Sequence, residues 1–186
     1  MIYGKEIVGE KTILRDLAPA DCTDRYLNWL TDPDINRFLE SRLTEQTIQS
    51  IRNFVIDIAG SKNNYMFAII YKDTEEHIGN IKVGPIHPHY KNAYIGYLIG
   101  EQRYWGRGIA TEAISLTAGF CFDHLGLHKV SAGLIEPNIA SRRALEKAGF
   151  KPEGLFRQEV AVDGQYVNTM RYGLLHEDFE AQKAKK

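Results

Sequence analysis

Long apolar runs are missing from this 186-residue chain, and cysteine is nearly absent, at two residues. No stretch approaches the ~20 apolar residues that a membrane-spanning helix requires, so no membrane association is expected. Cys22 and Cys121 lack the spacing of a disulfide framework or a zinc site. Unpaired cysteines fit a reducing compartment, and a cytoplasmic protein without metal is expected. Residues 1–6 carry no apolar signal segment. Neither sign of charge dominates: 23 Lys and Arg stand against 24 Asp and Glu, a net charge of −1. Without a basic field, a nucleic-acid partner is not expected. Internal repeats, low-complexity tracts and linkers are also missing.

What is present is ordinary for a soluble globular chain: 44% hydrophobic and 25% charged residues, at a length that supports one domain with a sizeable core. Thr12 to Leu17 reads as a strand, and Ala20 to Leu30 as a helix with Asp21 near its start. A second helix opens near Thr44 to Thr47. It carries Ile48, Ile51, Val55 and Ile58 at helical spacing and stops at Gly60. Strands follow at Tyr65 to Tyr71, His77 to Val83 (ended by Gly84-Pro85) and Asn92 to Gly100. A long helix runs from Ile109 to Phe122, a strand from Lys129 to Ile135, and a helix from Asn138 to Ala148. Leu155 to Val162 and Tyr166 to Leu175 form a hairpin across Asp163-Gly164, a strong turn pair. This order predicts an α/β (α+β) layer fold with one sheet and helices on its faces. The last residues, with Lys183, Lys185 and Lys186, read as a frayed, solvated basic tail.

The most informative stretch joins the Asn92 strand to the Ile109 helix: Arg103-Tyr-Trp-Gly106-Arg107-Gly108-Ile109-Ala110-Thr111. A helix start presents unpaired backbone N–H groups and partial positive charge. Glycines there let an anion such as a pyrophosphate come close, and Arg107 adds a cation. The plainer alternative is a glycine-rich turn that holds no ligand. Neither Gly-x-x-x-x-Gly-Lys-Ser/Thr nor Gly-x-Gly-x-x-Gly occurs, so other nucleotide-binding folds are disfavoured.

Arg103-x-x-Gly106-x-Gly108 resembles the acyl-CoA pyrophosphate loop of the GCN5-related N-acetyltransferase superfamily. An Asn138-led helix ending in Gly149-Phe150 follows at that family's usual distance. The resemblance covers roughly Lys11 to Leu175, leaving residues 177–186 as the tail of a single domain over 1–186. It implies a mostly antiparallel sheet whose one parallel pair splays apart to admit acetyl-CoA. It also implies pyrophosphate binding by Arg103, Gly106, Arg107, Gly108, Ile109, Ala110 and Thr111. The pantetheine arm would pair with the strand end Leu98-Ile99-Gly100 and meet Asn138, which can equally be a helix cap. Arg142, Arg143 and Lys147 either approach the adenosine phosphate or form a solvated helix face.

The chain departs from the family pattern twice. Relatives often carry a Tyr seven residues after the Asn as general acid; here that position is Leu145. Ser141, one turn earlier on the same face, is the candidate catalytic acid, with a purely structural Ser as the alternative. Relatives often place a carboxylate where Tyr94 stands, so the usual base is missing; His87, His89 and Glu101 are replacement candidates, and solvent is another. His87-Pro88-His89 lacks the companions of a metal site, and Glu112 reads as structural. The acceptor region contains Arg37, Glu40, Arg42 and, on a later strand, Lys82; Arg37, Glu40 and Lys82 are the substrate-binding candidates.

The segment resembles the ribosomal-protein alanine acetyltransferase branch, and more closely a sub-branch associated with surface polysaccharides. The resemblance therefore implies an amino-sugar nucleotide or a protein N-terminus as acceptor, ahead of a polyamine. A homodimer is common in the superfamily. A non-catalytic acyl-CoA-binding module on the same fold is the rival of another class.

Overall fold

In the computed structural model, which describes residues 1–184, the chain builds one eight-stranded sheet. Its elements are β1 (Ile7–Val8), β2 (Thr12–Asp16), α1 (Asp24–Thr31), α2 (Pro33–Asn36), α3 (Ile48–Gly60), β3 (Tyr65–Tyr71), β4 (Glu76–His87) and β5 (Asn92–Ile99). They continue with α4 (Ile109–Gly119), β6 (Lys129–Ile135), α5 (Ile139–Lys147), β7 (Lys151–Val162), β8 (Gln165–Leu175) and α6 (His176–Lys183). The strand order is β1-β2-β3-β4-β5-β6-β8-β7, antiparallel everywhere except between β5 and β6. No described helix is long and apolar enough to cross a membrane.

Alternation along the strands sends apolar side chains to two separate cores. On one face Ile109, Ala113 and Ile114 of α4 and Leu145 of α5 pack on Ile81, Ile95, Val130 and Leu174. On the other, Tyr26 and Trp29 of α1 and Ile51 and Val55 of α3 cover Ala68 and Ile70. The second face is covered only part of the way. Beyond β4 it presents Gly96, Gly133 and Arg171 to solvent.

The parallel pair is short. Residues Asn92 to Ile95 lie against Lys129 to Ala132, and there the pairing stops. From Gly96 onward β5 keeps only β4, and from Gly133 onward β6 keeps only β8. The two central strands therefore part at their C-terminal halves, as the resemblance implied.

Three local expectations are corrected. Gly84-Pro85 does not end β4: the register shifts between Val83 and Ile86, and pairing resumes with Ile86 opposite Ala93. A β-bulge absorbs the two residues, and Gly84 takes φ +139°, a backbone angle that side-chain-bearing residues rarely adopt. The first helix begins at Asp24, not Ala20; Pro19–Asp21 is a separate turn, and Asp21 instead binds Arg15 at 2.7 Å. The C-terminal tail is helical through Lys183, whose ammonium bonds Asp123 and Glu180, both at 2.9 Å. Lys185 and Lys186 lie outside the described residues. Thr47 and Ser50 cap α3 reciprocally at 3.0 and 2.9 Å.

Glu112, in the first turn of α4, ties that helix to the β1–β2 turn. It accepts from Glu10 N–H at 2.7 Å, from Lys11 N–H at 3.1 Å and from the fully buried Thr12 hydroxyl at 2.7 Å. Glu112→Ala would leave these donors without their acceptor. Hydrogen bonds to a charged group are worth about 1.5–3 kcal/mol, so the variant should lose about 2–3 kcal/mol in urea unfolding. A loss below about 0.5 kcal/mol would show that the tether contributes nothing.

Candidate active site

Because β5 and β6 are parallel, their C-terminal ends open on the same side. The chain leaves each of them into a helix start, β5 into α4 and β6 into α5. Both helix N-termini therefore gather where the strands part.

Gly106 and Gly108 have φ of +74° and +82°. A Cβ on Gly106 would meet nothing within 4 Å, and one on Gly108 only Lys11 Nζ at 3.9 Å. The turn is thus an open cradle. Among the described residues, the N–H groups of Gly106, Arg107, Gly108, Ile109, Ala110 and Thr111 have no protein acceptor. Lys11 Nζ donates to Arg107 O at 3.3 Å, so a second cation stands at the turn. Sequence reading missed it, since Lys11 is 96 positions away. Arg107 stacks over Tyr104, its guanidinium 5.7 Å from the ring centre. This donor set, a positive helix end with bare glycines and two cations, fits a pyrophosphate.

Arg103 is turned elsewhere. It bonds Glu76 at 2.5 Å and lies 3.6 Å from Glu101. Glu76 also accepts from Tyr104 at 2.7 Å, and Glu101 accepts from Trp29 Nε1 at 3.2 Å. Arg25 lies 3.7 Å from both carboxylates. Arg103 and Glu101 thus brace the loop on α1 and β4. A Cβ on Gly100 would fall 2.0 Å from the Trp29 ring, so only glycine lets α1 seat there.

On β5, Gly100 N–H donates to Ile78 O of the β4 side at 2.9 Å. Main-chain groups alternate along a strand, so those of Leu98 and Gly100 face β4, whereas those of Tyr97 and Ile99 face the opening. Ile99 O accepts from Trp105 Nε1 at 2.8 Å.

Asn138 caps α5: its side-chain oxygen accepts from Ser141 N–H at 3.1 Å. Ser141 Oγ lies 2.6 Å from the Tyr97 hydroxyl, which also donates to Ser141 O at 3.2 Å. Tyr97 belongs to β5 and Ser141 to α5, so this bond crosses the opening between the parted strands. Burial pushes the Tyr97 phenol up to about 12, partly offset by the Ser141 bond. Tyr97 therefore stays protonated at neutral pH. Sequence reading singled out Ser141 alone. Leu145, where relatives carry a Tyr, is fully buried in the core.

Of the acceptor candidates, Arg37 is bound to Asp163 at the tip of the β7–β8 hairpin at 2.7 Å. Arg42 donates to Leu39 O at 2.6 Å and Ala161 O at 3.0 Å. Together they bridge residues 37–42 to the hairpin. Glu40 is exposed at the start of a short turn, and Lys82 lies beside Gly96. Among the described residues, neither Glu40 nor Lys82 has an ion-pair partner.

A cleft of about 330 Å³ opens on the uncovered face. Tyr94, His87, Tyr90, Ser131, Arg171 and the Lys129–Glu153 pair line it. His89, which packs edge-on against Tyr90, is not among the lining residues. Elsewhere Asp123, His176 and Glu180 come within metal-ligand reach, with Lys183 bonded to both carboxylates.

The family model for the acetyltransferase (GNAT) domain matches residues 11–151. The uncharacterized N-acetyltransferase YoaA of Bacillus subtilis (strain 168) is 31% identical over 169 residues, 89% of this chain and 94% of that protein. The spermidine N(1)-acetyltransferase of Escherichia coli (strain K12) is 27% identical over 157 residues, 83% of this chain and 75% of that protein. The spermidine N-acetyltransferase of Vibrio cholerae, solved in complex with CoA and spermine, has the same fold: TM-score 0.82 at 19% identity, over 92% of this chain and 99% of that one. The matched domain, the relatives and the parted sheet agree: this chain belongs to the GNAT family of N-acetyltransferases, which use acetyl-CoA.

Proposed function

We propose that the protein transfers an acetyl group from acetyl-CoA directly to a primary amine, with Ser141 holding the proton that the leaving group needs. The observation that carries this reading is the Tyr97–Ser141 bond across the mouth of the parted strands. Acetyl-CoA supplies a thioester; attack by a neutral amine forms the C–N bond, breaks the C–S bond and leaves a sulfur anion that takes a proton. Gly106, Arg107, Gly108 and the first N–H groups of α4 would bind the pyrophosphate, with Lys11 adding charge. Ile99 and Tyr97 would offer main-chain groups to the extended arm.

With Tyr97 neutral and donating to Ser141 Oγ, the Ser141 hydroxyl proton is free to be given up. Tyr97 then sits within one hydrogen bond to replace it. A covalent relay through cysteine is disfavoured. Both cysteines are buried, and burial pushes the Cys121 thiol up to about 12 and raises that of Cys22. Direct transfer needs no enzyme nucleophile. Glu101 is held in ion pairs and His89 lies outside the cleft, which leaves His87, in its lining, and solvent to take the amine proton.

For the acceptor, the reading is a small amine, with an amino-sugar nucleotide as its finer form. Of the cations weighed for its diphosphate, Arg37 and Arg42 are engaged in the bridge, and Lys82 remains. The E. coli relative's name favours a polyamine as the second reading.

Gly108→Val places a β-branched residue at φ +82° and fills the cradle. Calorimetric titration should show acetyl-CoA binding weakened at least about tenfold, a loss of about 1.4 kcal/mol, because the side chain stands where the pyrophosphate would approach. Wild-type affinity in the folded variant would remove the cradle from cofactor binding. Ser141→Ala should lower kcat about 10²-fold, the low end of acid–base contributions, with acetyl-CoA affinity near normal. Tyr97→Phe should fall in the same direction, and the double variant should be little worse than Ser141→Ala because the two act as a unit. An unchanged single-turnover rate in Ser141→Ala would end its role as acid.

A further inference from the structure

Resting on the acetyltransferase reading above, we infer that the acceptor amine also carries an anionic group, phosphate or carboxylate, that Arg171 receives it, and that Lys82 adds positive charge from the far side of the floor. Gly96 and Gly133 are the first residues past the point where β5 and β6 part, and both lie exposed on the uncovered face. A Cβ on Gly96 would meet nothing within 4 Å, and one on Gly133 only Met170 O at 3.9 Å. They form a bare floor. Lys82 stands beside Gly96 on β4, and Arg171 stands beside Gly133 on β8. Strands are about 4.8 Å apart, and β4 and β8 lie three places apart in the sheet, so the two cations stand on either side of the floor with backbones about 14 Å or more apart.

Arg171 is held in place by aromatic rings. Its guanidinium lies 5.4 Å from the Tyr94 ring centre and 5.2 Å from that of Phe156. A cation held over ring faces keeps its N–H groups for a bidentate oxyanion. Among the described residues, no carboxylate pairs with Arg171 or Lys82, whereas neighbouring charges are matched. Lys129 holds Glu153 at 2.6 Å, and Arg37 holds Asp163 at 2.7 Å. Glu159 accepts the Thr169 hydroxyl. Tyr94 takes the place where relatives carry a carboxylate, so that position adds an aromatic face and no negative charge. Arg171 and Tyr94 also line the cleft of about 330 Å³ toward the paired ends of β5 and β6, which is large enough for a small ligand; Lys82 and the two glycines lie outside its lining. A polyamine would bring positive charge against two unpaired cations; an amine with a phosphate would neutralise them.

The test uses the full chain saturated with CoA, so that phosphate cannot occupy the α4 cradle. Three matched probes are titrated by NMR: 3-aminopropyl phosphate, 3-aminopropanol and 1,3-diaminopropane. The phosphate should bind at least tenfold more tightly than the alcohol, and the diamine more weakly than either. Arg171→Met should abolish the preference, Arg171→Lys should retain most of it, and Lys82→Met should reduce it. In the wild type, raising salt should erode the preference, which keeps the test valid should a variant fail to fold. Equal binding of phosphate and alcohol, tighter binding of the diamine, or a preference intact in both methionine variants would overturn the proposal. Thiol release from acetyl-CoA is then measured with the same three amines. The expected charge preference in binding, with no turnover of any amine, would leave the anion site standing and count against the acetyltransferase reading. Turnover without charge preference would do the reverse.

Discussion

The structure depends on two parallel strands that stop pairing. After Ile95 and Ala132 the interior of the sheet has two facing edges with no partner. Unpaired main-chain groups in a protein interior are costly, and a sheet rarely tolerates an open edge at its centre. Here the cost is reduced locally. Trp105 reaches back to cap Ile99 O, and the Tyr97–Ser141 bond spans the gap by side chains. What remains is a slot with strand-like hydrogen-bonding capacity, suited to an extended amide-bearing chain. The same topology brings the α4 and α5 starts to the mouth of that slot, because each helix follows directly from one of the parallel strands.

Keeping the slot open requires rigid neighbours. Glu112 fastens α4 to the β1–β2 turn, and Trp29 seats on Gly100 so that α1 backs the end of β5. Glu76 and Glu101, bridged by Arg25 and Arg103, anchor the loop between them. Arg103 thus serves the site through its position in this network, although the motif alone places it among the phosphate ligands. A side chain that braces a loop and one that contacts its ligand leave the same mark in a sequence.

Features encoded by contiguous residues were legible. The Asp163-Gly164 turn, the helix start near Thr47, β3 and β6, and the glycine turn before α4 all follow from local chemistry. Features made by distant residues were not. Tyr97 stood within view in the β5 pattern, but its meaning depends on Ser141, 44 positions away. Lys11 reaches the glycine turn only through the β1–β2 hairpin. The bulge at Gly84 defeated a local rule because the strand detours around two residues and resumes at Ile86. The C-terminal helix was missed because its support, Asp123 and a face of aromatic contacts from Phe122 to Phe179, lies elsewhere in the chain. Arg171 and Gly133 carried no motif at all.

A net charge of −1 conceals a local segregation of charge. The carboxylates near the slot are nearly all committed: Glu112 to backbone amides, Glu76 and Glu101 to arginines, Asp163 to Arg37, Glu153 to Lys129. Glu112 is the sharpest case. In the first turn of α4 its charge sits favourably for the helix but next to the glycine cradle, where a free carboxylate would repel an anion. Turned onto Glu10 N–H and Lys11 N–H, it stabilises the scaffold, while Lys11 Nζ, from the same turn, stands at the cradle. The uncovered face repeats the arrangement, with Lys82 and Arg171 left without an ion-pair partner among the described residues, beside a bare glycine floor. An average over the chain registers none of this, because each unpaired cation is balanced by a carboxylate elsewhere. The field that a ligand meets is set by which partners are already taken.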